Sequence, residues 1–219
     1  MKPKHSILLL LTLCYCQLIQ AQALLHVNLV AKSNNAYIQS IDFKTGSLLL
    51  RLSSKGTIKL NTLRNNASYE YWDSIDGAYR NGKLKAINNI AIDYYDEFNM
   101  DGNTGKLKCV GSLPVTYYDR FDMNGNTGKV KSIGNITFTY YDRFDMNGNI
   151  GKLKSIGDMA VTYYDRFDMN GNEGKLKSIG NATIVYYDRF SSSNDYGKIK
   201  SIDGKNPFLH VIDRSDNRF

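Results

Sequence analysis

The sequence predicts an all-β protein: an antiparallel meander of tandem 23-residue β-hairpin repeats, arranged as a single-layer sheet or a curled solenoid. One copy, at 140–162, reads YYDRFDMNGNIGKLKSIGDMAVT. A fixed period of this length indicates stacked copies of one supersecondary unit that cannot fold alone. Six copies begin 23 residues apart, at Tyr71, Tyr94, Tyr117, Tyr140, Tyr163 and Tyr186.

Each unit is predicted to contain two strands and two turns. The first strand, 136–144, is rich in β-branched and aromatic residues that alternate between two faces. Asn147-Gly148 predicts a tight turn, because both residues tolerate positive φ. A second strand returns over 151–156, and Gly157-Asp158 turns into the next copy. One face of the first strand carries Ile136, Phe138, Tyr140, Asp142 and Phe144.

The register of the second strand has two interpretations. A two-residue turn at Gly134-Asn135 places Ile133 opposite Ile136. Strict alternation then puts Val130 on the other face, whereas a bulge near Ser132 returns Val130 to the apolar side. Both faces are mixtures of polar and apolar residues, which favours a thin sheet over a thick sandwich.

The chain divides into four segments. Residues 1–22 have the charged, apolar and small-residue order of a secretory signal peptide. Residues 23–70 alternate like strands without a clean motif and are predicted to form a β-rich N-terminal cap continuous with the array. The six repeats occupy 71–208, and 209–219 is a C-terminal tail.

Removal of the signal peptide changes the charge and the cysteine content of the chain. The whole chain has a formal charge of +7, and loss of Lys2 and Lys4 with the signal peptide leaves 26 basic and 21 acidic residues, a charge of +5. Cleavage leaves Cys109 alone, so stability must come from stacking rather than from disulfides. We expect the periplasm, the cell surface or the medium, with no transmembrane segment in the mature chain.

Repetition turns each motif position into a column along the sheet. Two tyrosine columns follow, and neighbouring residues on a strand point to opposite faces, so one column is expected to pack and the other to face solvent. A solvent-facing column would offer rings for stacking sugars, whereas tyrosine also fills a half-buried sheet face well. The first column is Tyr94, Tyr117, Tyr140, Tyr163 and Tyr186. The second, the candidate ligand-binding column, is Tyr95, Tyr118, Tyr141, Tyr164 and Tyr187.

Two lysine columns arise in the same way. They could bind a polyanion such as an acidic envelope glycan, or they could pair with acids across strands and keep the edges soluble. Interleaved acids argue against nucleic acid. The first column includes Lys83, Lys106, Lys129, Lys152, Lys175 and Lys198. The second includes Lys85, Lys108, Lys131, Lys154, Lys177 and Lys200. The candidate binding lysines are Lys106, Lys108, Lys129, Lys131, Lys152, Lys154, Lys175 and Lys177.

Catalytic, metal and cofactor chemistry is not indicated. The chain has three histidines, too few for a triad or a zinc site beside one mature cysteine. The loop Asp145-Met146-Asn147-Gly148-Asn149 places oxygen side chains at alternate positions, but it has one carboxylate and no closing acid, so we expect a turn rather than a calcium site. We expect no enzyme activity, no metal and no cofactor.

The motif resembles known repeat types. Tyr140-Tyr141 followed by Gly151-Lys152-Leu153 resembles the MORN-like repeat, and Tyr141-Asp142 with the same glycine segment resembles the YD repeat of secreted shell proteins. Residues 70–208 also resemble uncharacterised exported repeat proteins of Bacteroidota-type bacteria, which carry YYDRFD and GKIKSIG arrays. All three resemblances imply β-hairpin arrays.

Two functions are compatible with these patterns. One is a cell-envelope or extracellular binding surface for a glycan or another polymer. The other is a structural or protein-interaction scaffold without a small ligand. A packed state of both tyrosine columns would favour the scaffold. Because each unit contacts only its neighbours, removal of one exact unit is expected to leave a folded chain.

Overall fold

The computed structural model describes residues 24–214. The predicted signal peptide, 1–22, and the end of the predicted tail, 215–219, lie outside these residues. The described chain forms seventeen strands and one 3₁₀ turn, Ser74–Asp76. The small sheet contains β1 (Leu24–Lys32), β2 (Asn35–Thr45), β3 (Leu48–Leu52), β4 (Ile58–Thr62) and β17 (Leu209–Asp213).

The other twelve strands form the array. They lie in chain order, each paired antiparallel with the next, and the sheet is open, with β5 and β16 at its edges. The all-β antiparallel meander of consecutive hairpins is thus confirmed. The strands are β5 (Tyr69–Tyr71), β6 (Leu84–Ile87), β7 (Ile90–Tyr94), β8 (Leu107–Val110), β9 (Leu113–Tyr117), β10 (Val130–Ile133), β11 (Ile136–Tyr140), β12 (Leu153–Ile156), β13 (Met159–Tyr163), β14 (Leu176–Ile179), β15 (Ala182–Tyr186) and β16 (Ile199–Asp203).

A bulge in every unit solves the register problem. Ile133 pairs with Ile136 across the two-residue turn, as predicted, with Gly134 at a φ of +59°. On the other side Val130 pairs with Tyr117 and Ser132 with Thr116, so Lys131 is the extra residue. Val130 and Ile133 are consequently both fully buried on one face.

The first strand of each unit is shorter than the predicted 136–144. It ends at Tyr140, and residues 141–152 form a loop before β12. Asp142 Oδ1 accepts the N–H groups of Phe144 and Asp145, while Asp145 Oδ2 accepts that of Asp142. These local bonds take the backbone donors that a longer strand would use, so the chain turns instead.

The array is not a bare layer, because the small sheet packs against one of its faces. The ring of Phe43 in β2 meets that of Phe138 in β11 edge-on, at 6.0 Å between centroids. Both rings are fully buried in one core that draws on both sheets. The array is one open sheet, as predicted, and the structure adds a second sheet that lies over it. The apolar stripe of the array is covered by residues that carry no repeat motif.

Strand β2 crosses the array strands rather than following them. Ala36 N–H near its start donates to the hydroxyl of Tyr186 in β15, and Gly46 just after its end lies against Ile90 in β7. Ten steps along β2 cover about 34 Å, and the eight spacings from β7 to β15 cover about 38 Å. Residues 24–62 of the predicted cap form this separate sheet, in which β4 pairs with β3 and not with β5, whereas Tyr69 and Glu70 lie in β5 of the array.

The C-terminal segment closes the small sheet. Strand β17 pairs in parallel with β1, with Leu209 opposite Val27 and Asp213 opposite Ala31. The described part of the predicted tail is therefore a strand. No helix among residues 24–214 has the length and apolar character needed to cross a membrane.

Candidate functional site

The first lysine column binds consecutive units together. Lys129 Nζ donates to Asn126 Oδ1 at 2.8 Å and to the Gly151 carbonyl of the next unit at 2.6 Å. It also lies 4.7 Å from the centroid of the Tyr140 ring. Burial lowers the pKa of this ammonium group. The same set of contacts, with the same direction of pKa shift, recurs at Lys106, Lys152 and Lys175.

The second lysine column lies at the surface, and three of its six lysines, Lys108, Lys131 and Lys154, pair with acids. Lys131 Nζ is 3.3 Å from Asp122, and Lys154 Nζ is 2.9 Å from Asp145. Hydrogen bonds from the Asp142 backbone and from Lys154 lower the pKa of the Asp145 carboxyl. Lys131, Lys154 and Lys177 each cover a ring of the second tyrosine column. The lysine-to-ring distances are 5.2 Å for Lys131 over Tyr118, 5.2 Å for Lys154 over Tyr141 and 5.5 Å for Lys177 over Tyr164, while Lys108 lies 4.0 Å from Asp93.

The second tyrosine column is packed between units. The Tyr118 hydroxyl donates to the carbonyl of Phe138 at 3.0 Å, and the Tyr118 ring meets Tyr140 edge-on at 5.9 Å. Tyr118 and Tyr141 are 9% and 8% exposed, and burial raises the pKa of both phenols. Tyr95 and Tyr164 make the same hydroxyl and ring contacts, and the ring of Tyr187 lies under Lys200 at 5.7 Å.

The first tyrosine column is packed as well. Tyr140 and Tyr186 are buried in the core shared by the two sheets. Tyr140 donates to the Val130 carbonyl at 3.0 Å, and burial raises the pKa of Tyr186 to about 12. Both columns therefore hold the array together, and neither offers an uncovered row of rings.

The loops that join the two strands of each unit stack into a continuous edge. The N–H of Arg143 donates to the Asn124 carbonyl of the preceding loop at 3.4 Å, and Arg166 repeats the contact on Asn147 at 3.0 Å. In the same loop as Asn124, Asn126 is 2% exposed, and its side-chain oxygen accepts a hydrogen bond from Lys129. This packing fixes equivalent loop positions at regular spacing along the molecule.

These loops present apolar side chains to solvent, and we call that row the Phe–Met edge. Exposed fractions run from 64% at Phe121 to 92% at Ile75. The arginine that precedes four of the phenylalanines stacks on its ring, as in Arg143 over Phe144 at 5.0 Å. The edge consists of Ile75, Phe98, Phe121, Phe144, Phe167 and Phe190, with Met100, Met123, Met146 and Met169.

The sequence pattern alone did not identify this edge. Strand alternation placed Phe144 on the face of Phe138 and Tyr140, whereas the structure places it in the loop at 69% exposure. The signal that could have revealed it is the pair of aspartates at Asp142 and Asp145. Aspartates in this position bind backbone N–H groups and end a strand early.

The Phe–Met edge is acidic although the chain is basic. The six loops at 73–81, 96–104, 119–127, 142–150, 165–173 and 188–196 contain 14 acidic and 5 basic residues, a balance of −9. Lys131, Lys154 and Lys198, which lie outside these loops, offset three of these acids. A cationic partner would be attracted to this edge, and a polyanion would be repelled.

Metal-binding and nucleophilic groups are few in the described part of the chain. In the described part of the chain, no three His, Cys, Asp or Glu side chains lie close enough to hold a metal ion. Cys109 is half-buried beside Asp93 on the neighbouring strand, and burial raises the pKa of its thiol, which disfavours the reactive thiolate. A groove of about 690 Å³ beside the hairpin turns, lined in part by Ile136, Met159 and Phe208, brings in only Asp158 and Lys205 as charged groups.

No protein family model, no curated protein and no solved structure matches this chain.

Proposed function

We propose that the protein is an exported, non-enzymatic interaction scaffold that binds a protein partner along the Phe–Met edge. The observation that carries the proposal is a contrast between columns. The tyrosines and the first-column lysines are used in contacts between units, whereas ten apolar side chains remain exposed in one row. A row of large exposed apolar side chains is typical of an interaction site.

The composition of the edge favours a protein over a glycan. Phenylalanine, methionine and arginine are enriched at protein interfaces. Methionine in particular adapts its shape to irregular apolar partners. The five exposed phenylalanines and four methionines offer on the order of 1,000 Å², compared with about 800 Å² per partner in a standard interface. This edge is therefore large enough for specific binding without a second surface.

The charge of the edge specifies the partner further. Its acids frame each apolar rung, so the complementary surface carries lysine or arginine around apolar side chains. An acidic polysaccharide lacks both features. A neutral glycan would need open ring faces, and here an arginine covers one face of Phe121, Phe144, Phe167 and Phe190.

The test uses defined probes and a matched pair of variants. The edge variant carries Phe121→Ser, Phe144→Ser and Phe167→Ser, and the control carries Thr137→Ala, Ala160→Ser and Thr183→Ala on the exposed opposite face of the strands. We expect a synthetic peptide of alternating leucine and lysine to bind wild type and control alike. The edge variant should bind it at least about tenfold more weakly, and added salt should weaken binding.

Two further probes decide between partner classes. The protein should bind a leucine–glutamate peptide negligibly at any salt concentration. It should also show negligible retention on immobilised acidic or neutral polysaccharides. Equal peptide binding by the edge variant and wild type would exclude the Phe–Met edge. Salt-insensitive retention on the neutral polysaccharide would instead support the glycan-binding function.

A further inference from the structure

The two ends of the array differ, and the difference points to a second binding site. At the C-terminal end, the N–H of Ile199 in β16 donates to the carbonyl of Ser33 at 2.8 Å. At the equivalent position of an inner unit, the Val130 carbonyl accepts from Tyr140, the first-column tyrosine of the next unit, at 3.0 Å. The β1–β2 turn therefore occupies the place of a seventh unit, and this end is capped.

Every unit after the first receives two side chains from the unit before it. One is a first-column lysine, which donates to a loop glycine carbonyl 22 residues on and covers a first-column tyrosine. The other is a second-column side chain, which donates to a strand carbonyl 20 residues on. The lysine contacts are Lys83 to Gly105, Lys106 to Gly128, Lys129 to Gly151, Lys152 to Gly174 and Lys175 to Gly197. The second set is Trp72 to Ile92, Tyr95 to Val115, Tyr118 to Phe138, Tyr141 to Val161 and Tyr164 to Ile184.

The first unit has the receiving groups without the donors. By the same spacing, they are the Gly82 carbonyl, the Tyr69 carbonyl and the ring of Tyr71. Within residues 24–214, no lysine covers Tyr71 and no side chain donates to either carbonyl. Tyr69 occupies the position of Ile92, yet it is 48% exposed where Ile92 is 1% exposed, and Tyr71 is 58% exposed.

We propose that the open edge of β5 binds a strand of this same repeat type from another polypeptide. Its pattern is Tyr-Tyr followed after a loop by Gly-Lys-apolar-Lys. The incoming backbone extends the sheet by one strand. Its first lysine donates to the Gly82 carbonyl and covers Tyr71, and its second tyrosine donates to the Tyr69 carbonyl. Three exposed groups thereby gain the partners that their equivalents have in all five later units.

A separate repeat protein fits this edge better than a second copy of the chain. The last unit of this chain carries Tyr187 and Lys198 in the required positions, but Ser33 already occupies the edge of β16. Head-to-tail growth would have to displace that turn. The exposed edge of β5 can accept a new strand, whereas the β16 end of the array is capped. The assembly is therefore limited to one added strand.

The experiment uses the peptide of residues 140–156, YYDRFDMNGNIGKLKSI, which carries Tyr141 and Lys152 as the two donors. Trp72, the only tryptophan of the chain, follows β5 directly and reports on the site through its emission. We expect the peptide to shift Trp72 emission and to slow amide exchange at Tyr69–Tyr71. Substitution K152Q in the peptide should weaken binding at least tenfold, and K154Q less than twofold.

Protein variants locate the site. Tyr71→Ala should weaken peptide binding at least tenfold, because it removes the ring that the incoming lysine covers. Tyr71 is exposed, so its loss leaves the fold intact. The triple Phe–Met edge variant should bind it like wild type, which separates this site from the proposed scaffold edge. Unchanged Trp72 emission and amide exchange, or equal binding of the K152Q peptide, would refute the proposal. Concentration-dependent association of the chain with itself in sedimentation would also overturn it, by making a second copy the occupant.

Discussion

At the residue scale, two lysines of one motif have opposite roles. Lys129 and Lys131 are two residues apart in GKVK, and the bulge at Lys131 lets one turn inward and the other outward. Lys129 satisfies the Asn126 side chain, which is 2% exposed, and a carbonyl of the next unit. Lys131 makes a solvent-screened pair with Asp122, a kind of contact worth about 0–1 kcal/mol.

We therefore expect Lys129→Met and Lys131→Met to differ in stability. Loss of Lys129 leaves two acceptors without their donor, at a cost of about 2–4 kcal/mol, because an unsatisfied buried polar group costs about 1–3 kcal/mol. Loss of Lys131 should cost less than about 1 kcal/mol. Urea denaturation of both variants measures the difference, and equal midpoints would mean that the first lysine column does not bind the units together.

At the scale of one unit, the hairpin is shaped by polar side chains as much as by its apolar pattern. Asp142 and Asp145 bind backbone N–H groups and end β11. On the solvent face, a hydrogen bond of 2.7 Å between the Thr139 and Ser155 hydroxyls links β11 to β12. In the loop between β11 and β12, Lys152 donates a hydrogen bond to Asn149 and stabilises the loop. The units are thus similar enough to stack, but a unit cannot be removed without a loss of stability, because β2 packs across the stack from β7 to β15.

Deletion of one unit tests that constraint. A nearest-neighbour array alone predicts that removal of Tyr140–Thr162 leaves a folded chain. The structure changes this expectation, because the deletion shortens the array by about 9.6 Å under an unchanged β2. Ala36 and Gly46 can then no longer keep both Tyr186 and Ile90 as partners.

The deletion variant should fold with a clearly lower thermal midpoint than the full chain. Removal of 11 residues, 140–150, should abolish cooperative unfolding, because it also breaks the strand pattern. Circular dichroism during heating ranks the three chains. A 23-residue deletion as stable as wild type would show that the small sheet does not set the length of the array.

At the scale of the whole molecule, two sheets that cross each other share one core lined by tyrosines. Burial raises the pKa of nine phenols in the two tyrosine columns above the usual 10. They are Tyr94, Tyr95, Tyr117, Tyr118, Tyr140, Tyr141, Tyr163, Tyr164 and Tyr186. The folded state therefore needs these phenols protonated, and its stability falls when alkaline pH removes the protons.

We expect the protein to unfold cooperatively as the pH rises above about 10. A raised pKa means that the folded state holds protons that the unfolded state releases, so this stability is complete below pH 10 and is lost above it. The lowered pKa values of the first-column lysines act in the opposite direction, but only up to the usual lysine pKa near 10.5. Tyrosinate absorbance and circular dichroism should change in one step. Ionisation of these tyrosines near pH 10 with unchanged circular dichroism would contradict the prediction.

The sequence by itself determined the repeat, its two strands, the glycine turns and the antiparallel order of the array. These features depend on local chemistry: alternation, positive φ at Gly134, and pairing between neighbours in the chain. It also limited the register to two choices, and Val130 and Ile133 could not both be buried without the bulge. The length of the strands was overestimated, because the backbone bonds of Asp142 and Asp145 are invisible to an apolar pattern.

Only the tertiary structure decided which repeated columns are free. The tyrosines and first-column lysines became contacts between units because their partners lie 20 to 22 residues away, on the next copy. Phe121 and Phe144 became the exposed edge because the loop carries them past the end of the sheet. The covering sheet was equally unpredictable, since residues such as Phe43 meet the array through shape and burial, which no period in the sequence records.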